Sequence, residues 1–311
     1  MPDINSILEF IKLELLERRK RPLIGILLFF VVLGAVFLLR SPVLIVTDAS
    51  FDQLYGSLRL REERARLSHR LFRRVIPVTV TETAGPDLVA LAAAGASKSA
   101  KLVIFPYRYL EGAEYYTKNS PKTPVLVMEG TRFQARNSSV GDFGLVFARI
   151  NTEEDLYRAG LCAALLADGE QVVFISDETL PGEYRDAFRE GLRAQGHLKD
   201  PVYLNSQSDF SPNSEGGCAV LAGSAGKFLE QSSKIPIILF SWIDPGLTPR
   251  TVKIIFDDSP WALAAELIRK FPSREGEIFV SSKPFVFPDR IDDKRDFRKI
   301  RGKIKEKLQK N

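Results

Sequence analysis

The sequence predicts an α/β protein of two doubly wound lobes behind one N-terminal transmembrane helix. Three observations predict it. From residue 43 onward, short apolar strands alternate with helical stretches, the pattern of parallel βαβ units whose sheets are covered on both faces. The series breaks once, near residue 150, after the loop-rich segment GTRFQARNSSVGD, and then restarts; two lobes of about 100 residues each suit that spacing. Finally, residues 23–39 read LIGILLFFVVLGAVFLL, without charge or proline.

That apolar run comes first. At ~1.5 Å per residue it reaches ~25 Å, enough for a hydrocarbon core with little tilt. Arg18, Arg19, Lys20 and Arg21 precede it, and basic flanks stay cytoplasmic. Residues 1–22 are therefore expected inside, 23–39 in the inner (cytoplasmic) membrane, and the bulk of the chain periplasmic or extracellular. A cleaved signal would have a short basic region and a small-x-small cleavage site. Here the run ends Phe37-Leu38-Leu39-Arg40-Ser41-Pro42 without one. An uncleaved anchor is the expectation; a cleaved signal and a buried core helix are the alternatives. The apolar side of residues 7–16 fits an interfacial helix or a plain extension of the same helix.

The first lobe, 43–148, is expected to hold strands at 43–47, 75–80, 102–105, 125–128 and 144–148, with helices at 57–74, 86–98 and 109–117. The second, 149–256, holds strands at 172–176, 219–222, 237–240 and 252–256, with helices at 153–167, 182–195 and 224–232. Asn151 or Thr152 fits a helix N-cap, with Glu153 and Glu154 in the first turn. Residues 257–285 cross back to the first lobe through a helix at 259–271 and a strand at 277–280.

The last segment, 286–311, repeats Phe297, Ile300, Ile304 and Leu308 at helical spacing, an amphipathic helix. From residue 289 to the end, ten Lys/Arg stand against five Asp/Glu, so this tail carries the whole net charge of +5. The lobes then sum to zero and lack the basic footprint of a nucleic-acid binder. A solvated outer face explains the tail; attraction to anionic headgroups is the alternative.

Catalytic and metal chemistry find little support. His69 and His197 are the only histidines, one in an Arg-rich helix and one at a helix end, both expected on the surface. Cys162 and Cys218 lie on separate apolar elements and are expected as buried small hydrophobes, although an outside location would permit a disulfide. No Cys/His spacing suggests a metal. Gly223-Ser224-Ala225-Gly226-Lys227-Phe228 lacks the spacer and the final Ser/Thr of a phosphate loop. No enzyme activity and no cofactor are expected.

Candidate ligand residues cluster after strands. Asp48, Phe51 and Asp52 follow the first strand, with Ser50 between them; two carboxylates, a hydroxyl and a ring suit a small hydrophilic ligand, and turn chemistry is the competing account. Tyr107 follows the third strand and offers a ring for stacking, or packs on the neighbouring helix. Arg185 lies in the first turn of the 182–195 helix, where it clamps a ligand or forms a surface ion pair. Ser224 follows the 219–222 strand. Trp242 and Asp244 follow the 237–240 strand, with turn formation before Pro245 the alternative for Asp244.

These segments resemble the type 1 periplasmic binding protein superfamily over about residues 43–285. The resemblance rests on the loop after strand one, on Tyr184-Arg185-Asp186-Ala187-Phe188-Arg189-Glu190-Gly191, on Ile235-Pro236-Ile237-Ile238-Leu239-Phe240 with Asp244, and on the returning strand ending in Asp257. Ser50-Phe51-Asp52 after Asp48 is similar to the basic membrane protein branch, whose members bind nucleosides, with Asp52 where that branch has Asn. The resemblance implies two Rossmann-like lobes and an interlobe cleft that closes by hinge motion. It further implies a solute-binding protein capturing a small polar ligand, sugar or nucleoside-like, for an ABC permease or a signalling partner. The other function class is an envelope structural or interaction protein that keeps the fold without a small ligand.

Overall fold

The computed structural model describes residues 26, 29–50, 57–128, 145–176, 180–205, 216–222, 235–240, 248–257, 263–264, 266, 268, 276–291 and 293–308. The first lobe runs β1 (Val43–Thr47), α1 (Ser57–Leu71), β2 (Val75–Thr79), α2 (Pro86–Ala96), β3 (Leu102–Pro106), α3 (Leu110–Asn119), β4 (Val125–Met128) and β5 (Leu145–Ile150). The second runs α4 (Thr152–Ala167), β6 (Gln171–Ser176), α5 (Gly182–Ala194), β7 (Val202–Asn205), β8 (Gly216–Ala222), β9 (Ile237–Phe240) and β10 (Val252–Asp257). The chain closes with β11 (Gly276–Val280), β12 (Lys283–Val286) and α6 (Lys294–Lys303).

Two six-stranded sheets result, ordered β2-β1-β3-β4-β5-β11 and β7-β6-β8-β9-β10-β12. Every pairing in the first is parallel. The second is parallel except for β12, which runs antiparallel to β10. The two-lobed α/β expectation is met, and each lobe carries the same strand order. β1, β3 and β4 are buried along their whole length, which is why they read as unbroken apolar runs rather than alternating ones. Side chains still divide by parity: Val43 and Ile45 pack on one face with Leu67 and Leu263, Leu44 and Val46 on the other with Val89 and Tyr116.

Helix ends are set by local chemistry. Asn151 caps α4, its side-chain oxygen accepting the Glu154 N–H at 3.3 Å, and Asp168 and Gly169 end the helix with positive φ. Pro181 precedes α5, and Asp293 caps α6 by accepting the Arg295 N–H at 2.7 Å. In α6, Ile300 is fully buried in the second lobe's core, with Ile304 packed beside it. The tail therefore spends its apolar face inside the protein.

The α4–α5 crossing shows why the Tyr-Arg-x-x-Phe-x-x-Gly segment has its form. A Cβ on Gly191 would lie 2.1 Å from the Tyr157 carbonyl oxygen, and one on Gly160 would lie 2.3 Å from that of Phe188. Only glycines permit this approach. It seats Phe188 against Phe174, with ring centroids 5.1 Å apart.

Two strands escape the sequence pattern. β7 is a four-residue edge strand. β12 contains Pro284, which removes a ladder donor and reads against a strand, but is tolerated at this sheet edge.

The membrane anchor and its inner-membrane, N-inside topology are overturned. Among the described residues no helix is long and apolar enough to cross a membrane. Residues 29–39 are helical among those described. This helix instead meets the first lobe: Phe37 and Phe72 lie 5.6 Å apart, and the Arg40 guanidinium sits 5.2 Å above the Phe72 ring.

Candidate functional site

Ligands of open α/β sheets bind beyond the carboxyl ends of the strands, where the strand order reverses. In the first lobe that point lies between β1 and β3. Asp48 follows β1 directly, and a 3₁₀ turn, Tyr107–Tyr109, follows β3. Leu110 N–H closes the turn on the Tyr107 carbonyl. Tyr109 is thereby buried, while Tyr107 is left 40% exposed.

Asp48 is the centre of the group. One carboxylate oxygen accepts the Ser50 N–H at 2.9 Å and the Ser50 hydroxyl. The other accepts the Tyr109 hydroxyl at 2.6 Å and Arg108 Nη1 at 2.9 Å. Arg108 Nη1 also donates to Ser50 Oγ at 3.1 Å, and the guanidinium lies 5.2 Å from the Tyr109 ring centroid. Burial raises the Asp48 carboxyl, but the hydrogen bonds from Ser50 and Tyr109 and the charge of Arg108 outweigh it and hold the group below its ordinary value. Burial and then Asp48 push the Tyr109 hydroxyl up, so it stays a donor.

A carboxylate has about four acceptor directions, and four donors fill those of Asp48. The solvent-facing member is Arg108, whose side chain is 43% exposed while that of Asp48 is fully enclosed. Arg108 Nε and Nη2 bond no described residue. Sequence reasoning chose Tyr107 from this turn; Arg108 and Tyr109 were one and two positions away. The available signal was Pro106, which ends the strand and makes a tight turn the local choice.

In the second lobe, Arg185 Nε donates to the Leu180 carbonyl at 2.9 Å, and its guanidinium lies 5.3 Å from the Tyr203 ring centroid. The Tyr203 hydroxyl donates back to the Arg185 carbonyl at 3.2 Å, and burial pushes that phenol up to about 12. Arg185 thus braces the approach to α5 against edge strand β7. Phe51, Asp52, Ser224, Trp242 and Asp244 lie outside the described residues. Of the eight expected site residues, Asp48, Tyr107 and Arg185 are described; Asp48 and Tyr107 flank the first-lobe switch point, and Arg185 belongs to the other lobe.

The passage between lobes is also built from polar groups. Asn151 N–H bonds the Val280 carbonyl at 2.9 Å. Asp155, fully buried, receives the Ser282 N–H on both carboxylate oxygens, at 3.1 and 3.0 Å. Arg149 pairs with Glu277 at 3.1 Å. The chain leaving β5 and the chain leaving β11 are therefore tied side by side where they change lobes. Asp155 reads in the sequence as a first-turn acid of α4, and nothing in the pattern marks its second duty.

A cavity of about 730 Å³ lies at the opposite, amino end of the second sheet, beside Gly169, Pro236 and Thr251. Arg290 on its wall is held by Thr248 Oγ1 and two backbone carbonyls at 2.8–3.2 Å. Both thiols are buried and free, Cys162 pushed up to about 12 by burial.

No protein-family model matches the chain, and no curated protein matches it in sequence. Solved structures do. A transcriptional activator of the comK gene from Bacillus halodurans superposes with TM-score 0.58 at 12% identity, over 85% of this chain and 96% of that one. An ABC transporter system solute-binding protein from Conexibacter woesei superposes with TM-score 0.57 at 11% identity, over 85% and 94%. The fold is that of the type 1 periplasmic binding proteins. A periplasmic solute-binding protein from Actinobacillus succinogenes, with bound D-allose, has TM-score 0.50 at 12% identity, over 80% and 97%. Within this binding-protein fold, β11 and β12 are the strands by which the chain recrosses to complete both lobes.

Proposed function

We propose that this chain binds a small polar ligand, sugar- or nucleoside-like, between its lobes and presents it to a transporter or signalling partner. The observation that carries the reading is the Asp48–Ser50–Arg108–Tyr109 group at the first-lobe switch point, with a buried carboxylate aiming a half-exposed guanidinium. Arg108 would donate to ligand hydroxyl, ring or carbonyl oxygens. Phe51, Asp52, Ser224, Trp242 and Asp244 would supply the ring faces and remaining polar contacts. Closure would proceed about the Asn151–Val280 and Asp155–Ser282 crossings. Solute binding in two of the structural neighbours supports it.

A second reading, an interaction protein that keeps the fold without a small ligand, is favoured by the saturation of Asp48 within the protein. Thermal denaturation with D-allose, D-ribose, adenosine and inosine separates the two. A ligand at 1,000 times its Kd stabilises by about 4 kcal/mol. The expected result is a dose-dependent rise with one of these, lost in Arg108→Ala and in Trp242→Ala. No rise with any of them, or a rise indifferent to both substitutions, refutes the site.

A further inference from the structure

The end of the chain is held by a charged pair on α4. Glu154 and Arg158 stand one turn apart and pair at 2.8 Å, with side chains only 9% and 11% exposed. A buried ion pair is costly unless further hydrogen bonds complete it. Here the backbone beyond α6 completes it. Arg158 Nε donates to the Glu306 carbonyl at 3.0 Å, and Glu154 accepts the Leu308 N–H on its other oxygen at 2.9 Å. One C=O and one N–H, two residues apart, are thus read by one guanidinium and one carboxylate. Ile304 packs on the second lobe's core, and Glu306 pairs with Lys303. Terminal residues fray unless tied down, and these are tied to partners 148 and 154 residues away in sequence.

What adjoins Glu154 gives this tie a consequence. The next residue, Asp155, holds the Ser282 N–H on both carboxylate oxygens, and Asn151, the cap of the same helix, donates its N–H to the Val280 carbonyl. Residues 151–155 therefore carry the join between the lobes and the tail together. A helix's first turn has no preceding turn to brace it, and its N–H groups depend on caps and outside partners. We infer that residues 304–308 are a strap that holds the first turn of α4 against the crossing at Val280–Ser282, so that releasing the tail loosens the crossing. Glu154 and Arg158 are its positioning residues. A displaced tail leaves their buried pair short of hydrogen bonds at the place where the lobes join. That crossing is the hinge of the closure proposed above. The strap's effect on closing rests on that reading; its attachment does not, and is tested in the ligand-free chain.

Leu308→Pro removes the N–H that Glu154 accepts and alters nothing on α4. Backbone amide exchange, followed by NMR in the full chain without ligand, reads the effect residue by residue. The Ser282 and Asn151 amides are expected to exchange at least fivefold faster than in wild type, while the amide of Ile104, in the middle of the first sheet, keeps its rate. A chain ending at Lys305, which keeps Ile304 but loses both tail contacts, should act at least as strongly. Lys307→Ala, at an exposed position of the same segment, should change neither amide. A Leu308 amide that exchanges at the free-peptide rate in wild type overturns the inference, because the tail is then not held. So does Leu308→Pro with Ser282 and Asn151 at wild-type rates, which severs the tail from the crossing. Equal acceleration at Ile104 also overturns it, because the loss is then of the whole fold.

Discussion

Replacing Asp48 by asparagine keeps the shape and removes the charge, which makes it the sharpest probe of the first-lobe site. The carboxylate accepts four hydrogen bonds, two on each oxygen. If the amide oxygen keeps Tyr109 and Arg108, the Tyr109 bond falls from charge-assisted to neutral, about 1 kcal/mol, while the Arg108 bond keeps its cationic donor and loses the ion pair. The amide nitrogen then faces the Ser50 N–H, donor against donor, and a stranded donor costs about 1–3 kcal/mol. Arg108 is half in solvent, so its own loss is small. The sum is roughly 2–4 kcal/mol. At about 2–4 °C per kcal/mol for a domain of this size, the melting temperature should fall by roughly 5–12 °C at pH 7.

The pH dependence follows from the direction of the Asp48 shift. Its folded value is held below the unfolded one of about 3.9. The stabilisation is therefore complete above the unfolded value and is lost as pH falls through the folded one. Wild type and Asp48→Asn, melted by circular dichroism, should differ fully at pH 7 and converge toward pH 2. A difference below about 1 kcal/mol at pH 7, or one that stays constant into acid, would refute the assignment of Asp48 as the charged brace of Arg108 and Tyr109.

Gly191→Val should separate α4 from α5, because its Cβ has nowhere to go beside the Tyr157 carbonyl; a loss of about 3 kcal/mol or an uncooperative melt is expected, and a wild-type melt would contradict the close crossing. Asp155→Ala should cost about 2–3 kcal/mol by stranding the buried Ser282 N–H, while amide exchange of Ser282 accelerates; unchanged exchange there would show that the clamp is not needed. In the native protein a thiol reagent at pH 8 should label neither Cys162 nor Cys218, since both are buried with raised thiol values, and should label both after unfolding. Rapid native labelling, or none after unfolding without reductant, would contradict the free buried thiols.

The fold was legible because its signals are redundant. β1, β3 and β4 are buried on both faces and so write themselves as runs such as VLIVT and VLVM, and α4 is announced by Asn151 and three acids. What failed was marginal or non-local. β7 has four residues, and β12 carries a proline that only an edge position excuses. The apolar run at 23–39 satisfied a composition rule, but among the described residues no helix is long and apolar enough to cross a membrane. For the site, the turn after β3 was legible, but which of its side chains faces inward was not. Which of Tyr107, Arg108 and Tyr109 turns inward depends on the 3₁₀ geometry, and periodicity carries no register through a single turn. The pairing of Asp155 with Ser282 spans 127 residues and leaves no local trace at all.

Both sheets are finished by strands that arrive late. β11 adds to the first lobe beside β5, and β12 adds to the second beside β10, with only Ser281 and Ser282 between them. During synthesis, the first lobe must therefore wait, one edge uncovered, for more than a hundred residues of the other lobe to leave the ribosome. A fragment ending at Ile150 would expose the β5 edge to any strand that could pair with it. The lobes are separate in space but a single unit in time, and neither can be excised as one continuous piece of chain.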